Sequence, residues 1–181
     1  NVYHKLNDYI KASGDLAVKL YKEDIEAALR TKDFGGFELL SLSDYTGQST
    51  ATVGILDVFY ESKGLISPDE FKNFAGEAVP LFKAKRIFKN TDTLEAELDL
   101  YDFGEKKINN PVYNLTVQNG EQVFYKTSTT ESKVSIPLNS ITKSTMLSVI
   151  LEVNGYKNTW RIFVFAENKI ENNAAKAALY R

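Results

Sequence analysis

The hydrophobic period of this chain changes once, near Pro80, and that change constrains what it can fold into more than any single motif. Over residues 15–30, Val18, Tyr21, Ile25, Ala28 and Leu29 recur three and four residues apart, while Lys19, Lys22, Glu23 and Glu26 take the other face. This is the spacing of an amphipathic helix. Beyond Pro80 the period is two. Leu94, Ala96, Leu98 and Leu100 alternate with Glu95, Glu97, Asp99 and Tyr101, as in a strand with one buried face. Segments of the same kind recur over 112–119, 122–127, 133–138, 146–153 and 158–165. The pairs Asn119-Gly120 and Asn154-Gly155 favour tight hairpin turns, whose central residues need positive φ. Six or seven short strands with no helix between them predict an antiparallel, immunoglobulin-like β-sandwich.

Ahead of the sandwich the pattern reads as an α/β layer. After the break at Asp33-Phe34-Gly35-Gly36, the short apolar run 37–42 predicts a strand covered on both faces. Helical spacing returns over 48–62 through Val53, Leu56, Phe59 and Tyr60, with Gly64 placed to end the helix in a left-handed conformation. Ser67-Pro68-Asp69-Glu70 then supplies a capping hydroxyl, a proline at the first helical position and a carboxylate at the third, so a short helix starts at Pro68. The expected class is α+β: an α/β segment over 1–80, a sandwich over 81–166, and over 167–181 a helical tail or the start of a further domain.

Composition excludes several functions. With 22 basic and 24 acidic residues, the basic ones scattered, no positive field faces a phosphate backbone, so nucleic acid is excluded as a partner. Zero cysteines remove disulfides, thiol nucleophiles and thiolate metal sites. No apolar run reaches bilayer length, so no membrane insertion is expected. The start Asn1-Val2-Tyr3-His4-Lys5 has neither an initiator Met nor a signal-peptide pattern, and the chain reads as part of something longer. Gly35-Gly36 lacks the lysine or fingerprint of a phosphate loop, and His4, the single histidine, cannot assemble a triad or a multi-histidine metal site. No metal and no cofactor are expected.

A glycosidase needs two carboxylates roughly 5 to 10 Å apart across the scissile bond. The 24 acidic residues show no discriminating pair. Glu23, Asp24 and Glu26 read as a solvated helix face, and Glu95, Glu97 and Asp99 as the outward positions of a strand. Asp44, Tyr45 and Gln48 differ, because they follow directly on the expected strand 37–42, and sites in α/β sheets lie at the carboxyl ends of strands. At least one of them meets a ligand there, or Asp44 caps the next helix and Tyr45 packs under a loop. Trp160 reads as core or interface packing rather than a sugar platform. Asn114-Leu115-Thr116 fits the N-glycosylation pattern, which is too short to weigh.

The order of segments resembles a known family. The run from Leu20 to Thr31, then Gly35-Gly36-Phe37-Glu38-Leu39-Leu40 and Asp44-Tyr45-Thr46-Gly47-Gln48, is similar to the end of the catalytic barrel in bacterial glycoside hydrolase family 2 proteins, the β-galactosidase-like group. Gly54-Ile55-Leu56-Asp57, Ser62-Lys63-Gly64, Val79-Pro80-Leu81 and the run from Asn158 to Phe165 continue the resemblance into a following sandwich. Thr46 stands where relatives often have proline, and Phe163 and Phe165 stand where Trp and Tyr are common.

The resemblance implies a bacterial, periplasmic or extracellular piece of an O-glycosyl hydrolase. In it 1–80 would close a (β/α)8 barrel and Asp44, Tyr45 and Gln48 would line the rim of the sugar pocket. The family's catalytic carboxylates lie on earlier strands, so no catalytic residue is assigned and the chain alone is not expected to turn over substrate. The implied partners are carbohydrate and the rest of the parent polypeptide, with a homo-oligomer left open. The alternative is a non-catalytic carbohydrate-binding or cell-surface scaffolding module. Exposed coplanar rings among Tyr101, Tyr113, Tyr125 and Tyr156 would favour it.

Overall fold

A computed structural model describes residues 3–47 and 52–167. The alternating half folds as its period requires. Strand β3 (Thr93–Asp102) buries Leu94, Ala96 and Leu98 and exposes the acidic residues between them. It is flanked by β1 (Ala78–Lys83) and β6 (Lys133–Pro137), both antiparallel to it, in a three-stranded sheet of order β1-β3-β6. The second sheet has the order β2-β8-β7-β4-β5 and contains β2 (Ile87–Lys89), β4 (Tyr113–Asn119), β5 (Gln122–Thr129), β7 (Thr145–Val153) and β8 (Tyr156–Phe165). Its pairings are antiparallel except the short parallel one between β2 and β8. The inward rows of the two sheets share one core, with Phe82, Leu94 and Leu98 meeting Leu115, Leu147, Val149, Leu151 and Ile162. The class is therefore α+β with a β-sandwich.

Of the two Asn-Gly turns, one sits as the sequence suggests and the other is displaced by a residue. Val153 pairs with Tyr156, so Asn154 and Gly155 are the central residues and both have positive φ, 51° and 90°. In the other hairpin Asn119 pairs with Gln122, which makes Gly120 and Glu121 central, and of these only Gly120 has positive φ.

Strands β1 and β2 carry no alternation signal. β1 runs continuously across residue 80 and is buried on both faces: Phe82 joins the sandwich core, while Val79 and Leu81 lie outside that core yet are fully covered. The helices pack on this second side. Pro80 is tolerated because β1 is an edge strand, where a missing N–H breaks no ladder.

Helix α1 (Leu6–Arg30) begins nine residues before the stretch that the spacing predicts. Helix α2 (Pro68–Ala75) starts at Pro68 with its capping box complete. The Glu70 N–H donates to Ser67 Oγ at 3.2 Å and the Ser67 N–H donates to Glu70 Oε2 at 3.0 Å. The segment between the two helices departs from expectation. No strand forms over 37–42, where Leu40 is 85% exposed and Ser41 has φ 67°. A strand buried on both faces needs hydrogen-bonding neighbours, and the described residues supply no bridge to 37–42, only an isolated one just beyond it, Ser43 with Leu56.

Nor is there a helix over 52–62, the described part of the expected helix 48–62. Asp57 Oδ1 accepts from the Phe59 and Glu61 N–H groups at 2.8 and 2.9 Å, and this side-chain bonding holds a turn in place of a helical ladder. Gly64 is left-handed, with φ 70°, but follows no helix. The expected tail over 167–181 lies outside the described residues apart from Glu167.

A second correction concerns Glu26, which is fully buried rather than part of a solvated face. Its carboxylate accepts from Trp160 Nε1 at 2.8 Å through Oε2 and from Asn158 Nδ2 at 2.9 Å through Oε1. It also pairs with Lys22 and Arg30, one turn to either side on α1. Asn158 Nδ2 donates in addition to the Pro80 carbonyl at 3.0 Å, so one cluster ties α1, β1 and β8 together. Trp160 is buried with its ring 5.4 Å from that of Phe82, in agreement with the packing role expected of it.

Removing one partner from a buried ionic cluster leaves the others desolvated and unpaired. Glu26→Ala should therefore lower unfolding stability by about 3–5 kcal/mol, measured by urea denaturation followed through the single tryptophan. A loss below about 1 kcal/mol would mean that the cluster is not what seats α1.

Candidate functional site

Of the residues singled out by sequence, Asp44 and Tyr45 lie on a loop built around one carboxylate. Asp44 Oδ1 accepts from the Gly54 N–H at 2.9 Å and from Lys63 Nζ at 2.7 Å, and Lys63 also reaches Oδ2 at 2.7 Å. The same ammonium donates to the Gly54 carbonyl at 2.9 Å and the Thr52 carbonyl at 3.3 Å, which uses its donors across both arms of the loop. Backbone bonds from Asp44 N to Leu56 O and from Ile55 N and Leu56 N to Leu42 O close the arms together. Gly54 permits this approach, because a Cβ there would lie 2.4 Å from the Ser43 carbonyl carbon. Tyr21, on α1, donates its hydroxyl to the Val53 carbonyl at 3.2 Å and so fastens the loop to the helix.

Asp44 is thus an organising residue. Its hydrogen bond from Lys63 first, and that from the Gly54 N–H next, hold its carboxyl below the usual aspartate range. Tyr45, the next residue, is 62% exposed and stands at the loop surface. Gln48 lies outside the described residues. The structure therefore gives Asp44 and Tyr45 different roles: the first anchors the loop and the second is presented by it. Lys63 is the residue that the sequence reading missed. It lies 19 positions from Asp44, and no spacing rule joins an aspartate to a lysine across an irregular loop.

Elsewhere, the four tyrosines considered as a platform do not form one surface. Tyr113 is buried, Tyr101, Tyr125 and Tyr156 are half-buried, and Tyr156 donates to Glu77 Oε1 at 2.8 Å. Tyr101 instead lies parallel to the exposed Phe103, with ring centroids 6.3 Å apart. Among the described residues no group of three or more His, Asp or Glu side chains is arranged to hold a metal ion, and no helix is long and apolar enough to cross a membrane. The half-buried Lys22 has its pKa pushed down by burial, against the pull of Glu26.

Asp44 has a lowered folded-state pKa, so the stability it contributes is present above the ordinary aspartate range. That stability disappears as pH falls through the lowered value. Lys63→Met should raise the Asp44 pKa toward the ordinary range and shift the acid loss of the Asp44–Gly54 contact to higher pH, read by carboxyl-carbon NMR titration. An unchanged Asp44 titration would show that Lys63 does not hold it in solution.

Comparison with known proteins adds little to this geometry. Residues 92–166, most of the sandwich, match a family described as "Domain of unknown function (DUF8488)". No curated protein matches the chain. Among solved structures, the sulfur carrier protein SoxY from Chlorobium limicola f thiosulfatophilum is similar over 49% of this chain and 79% of its own, at 12% identity and a TM-score of 0.28.

Proposed function

We propose that this chain is a supporting segment of a larger carbohydrate-active protein of the glycoside hydrolase family 2 type. In this reading residues 1–80 belong to the end of its catalytic barrel and residues 81–166 form the immunoglobulin-like sandwich that follows. The chain lends a rim to the sugar pocket and catalyses nothing alone, and the parent acts in the periplasm or outside the cell. The observation that carries the reading is the outer face of α1. Leu6, Tyr9, Ile10, Leu16 and Leu20 recur at helical spacing and each is more than half exposed, on the side opposite the buried Ile25 and Glu26. A helix apolar on both sides belongs between two layers of protein. Phe37, Leu40 and Leu42, in the segment without strand partners, are exposed as well. The rest of the parent polypeptide would cover this stripe and supply the missing neighbours of 37–42.

On this reading Tyr45 stacks on or hydrogen-bonds to sugar, with Asp44 fixing its place and Gln48 as a further sugar contact, and no cofactor takes part. The alternative, a non-catalytic carbohydrate-binding or cell-surface scaffolding module, draws on the parallel rings of Tyr101 and Phe103. Sugar-induced NMR shifts at Phe103 rather than Tyr45 would favour it.

Two measurements on the purified chain test the proposal. An assay across a panel of aryl glycosides should show no turnover, and hydrolysis of any of them overturns it. Leu16→Glu with Leu20→Glu should change unfolding stability by no more than about 0.5 kcal/mol per site, because both residues are uncovered in the isolated chain. A loss above about 2 kcal/mol would mean that this chain itself buries the stripe, and the reading loses its support.

A further inference from the structure

The outward row of β8 changes character along its length. Lys157, Thr159 and Arg161 are followed on the same face by Phe163 and Phe165, both exposed. The neighbouring strands continue this apolar end. Phe163 pairs with Ile87 of β2 on one side and with Met146 of β7 on the other, and these two are exposed as well. All four point away from the sandwich core, because Phe88, Leu147, Ile162 and Val164, which alternate with them, are buried in it. A sheet face that meets only water is ordinarily polar, as this one is along β4 at Asn114, Thr116 and Gln118. Four large apolar side chains grouped at one corner therefore mark a contact surface.

The chain itself leaves the sandwich at this corner. The Asn90 N–H donates to the Phe165 carbonyl at 3.0 Å, the Ala166 N–H to Ser144 Oγ at 3.1 Å and the Glu167 N–H to Asn90 Oδ1 at 3.1 Å. The Glu167 carboxylate accepts from Lys89 Nζ at 2.9 Å, and Lys89 is the register partner of Phe165 on the patch side of the sheet. Glu167 is thus held beside the patch, and residues 168–181 start from there.

Reach and composition single out those residues as the cover. Phe163 lies four residues back along β8, about 13 Å at roughly 3.3 Å per residue, and residues 168–181 span about 21 Å even when helical. They carry Ile170, Ala174, Ala175, Ala178 and Leu179, the last four at helical spacing. A tethered segment meets a neighbouring surface at an effective concentration on the order of millimolar. A separate copy of the chain at micromolar concentration is at a disadvantage against it.

We propose that residues 168–181 fold back over Ile87, Met146, Phe163 and Phe165 and cover them with their alanine and leucine side chains. The assignment uses only β2, β7, β8 and the residues that follow, so it stands whether or not the larger-protein reading does.

The test uses the full chain with its methionine methyl labelled, since Met146 is the single methionine and gives one resonance. That methyl should show NOE cross-peaks to the alanine and Leu179 methyls of 168–181. Ala175→Glu with Leu179→Glu should abolish those cross-peaks, shift the Met146 methyl and speed amide exchange over 174–180 by about tenfold or more. Trp160 fluorescence should stay unchanged, because the core cluster around it is complete without these residues. From the other side of the contact, Phe163→Ser should speed the same exchange. A Met146 methyl without the cross-peaks or unmoved by the double variant, or exchange unaltered by Phe163→Ser, overturns the proposal. So does a Met146 shift that depends on protein concentration, since a second copy would then cover the patch.

Discussion

The Glu26 carboxylate is the interaction on which the arrangement of the rest depends. It sits where a helix with one amphipathic face meets a sandwich that is already complete, and it converts that meeting into a fixed geometry. A purely apolar seam between α1 and β8 could slide by a residue at small cost. A carboxylate that accepts from Trp160 Nε1 and Asn158 Nδ2, with Lys22 and Arg30 on the flanking turns, has one register in which its acceptors are filled. Asn158 extends the constraint by donating to the Pro80 carbonyl, so the edge strand is placed by the same group. Such a cluster is weak evidence for stability and better evidence for specificity. Here its value lies in setting where α1 stands, and with α1 the loop held by Tyr21.

The sandwich was legible because alternation and burial are the same fact for a strand with one wet face. Leu94, Ala96 and Leu98 announce β3, and Asn154-Gly155 announces its own turn. Strands β1 and β2 were not legible. β1 is buried on both faces and contains a proline, so it shows neither alternation nor an orthodox composition, and three residues of β2 are too few for a period. The start of α2 could be read because capping is local chemistry among four adjacent residues. The failures over 37–42 and 52–62 have a different origin. Both runs have the apolar content of regular elements, but regular elements need partners or an uncontested backbone. One run lacks strand neighbours and the other is captured by Asp57.

Glu26 illustrates the limit for sites. On a helical wheel it falls among Lys22, Glu23 and Arg30, and a charged stripe is ordinarily solvent-facing. What buries it is a tryptophan and an asparagine more than 130 residues away, which no local window contains. The same holds for Asp44, whose anchoring lysine is separated from it by an irregular loop. The sequence reading found Asp44 and Tyr45 as neighbours with potential. It could not tell that the aspartate's acceptors are committed inward while the tyrosine faces out.

The two sides of α1 now pose one physical problem. The inner side is specified by buried, directional polar contacts, while the outer side is a plain apolar stripe that any complementary surface could cover. Hydrophobic burial is non-directional, so the stripe would supply affinity for a neighbouring layer without fixing its position. Position would have to come from directional groups at the margin of that contact. The Asp44–Lys63 loop, tied to α1 through Tyr21, lies beside the helix and carries such order. A layer docking on α1 would meet a preformed loop that presents Tyr45. In this arrangement the polar cluster around Glu26 places α1 on the sandwich and Tyr21 places the loop on α1, so the position of Tyr45 follows from the sandwich through those two contacts.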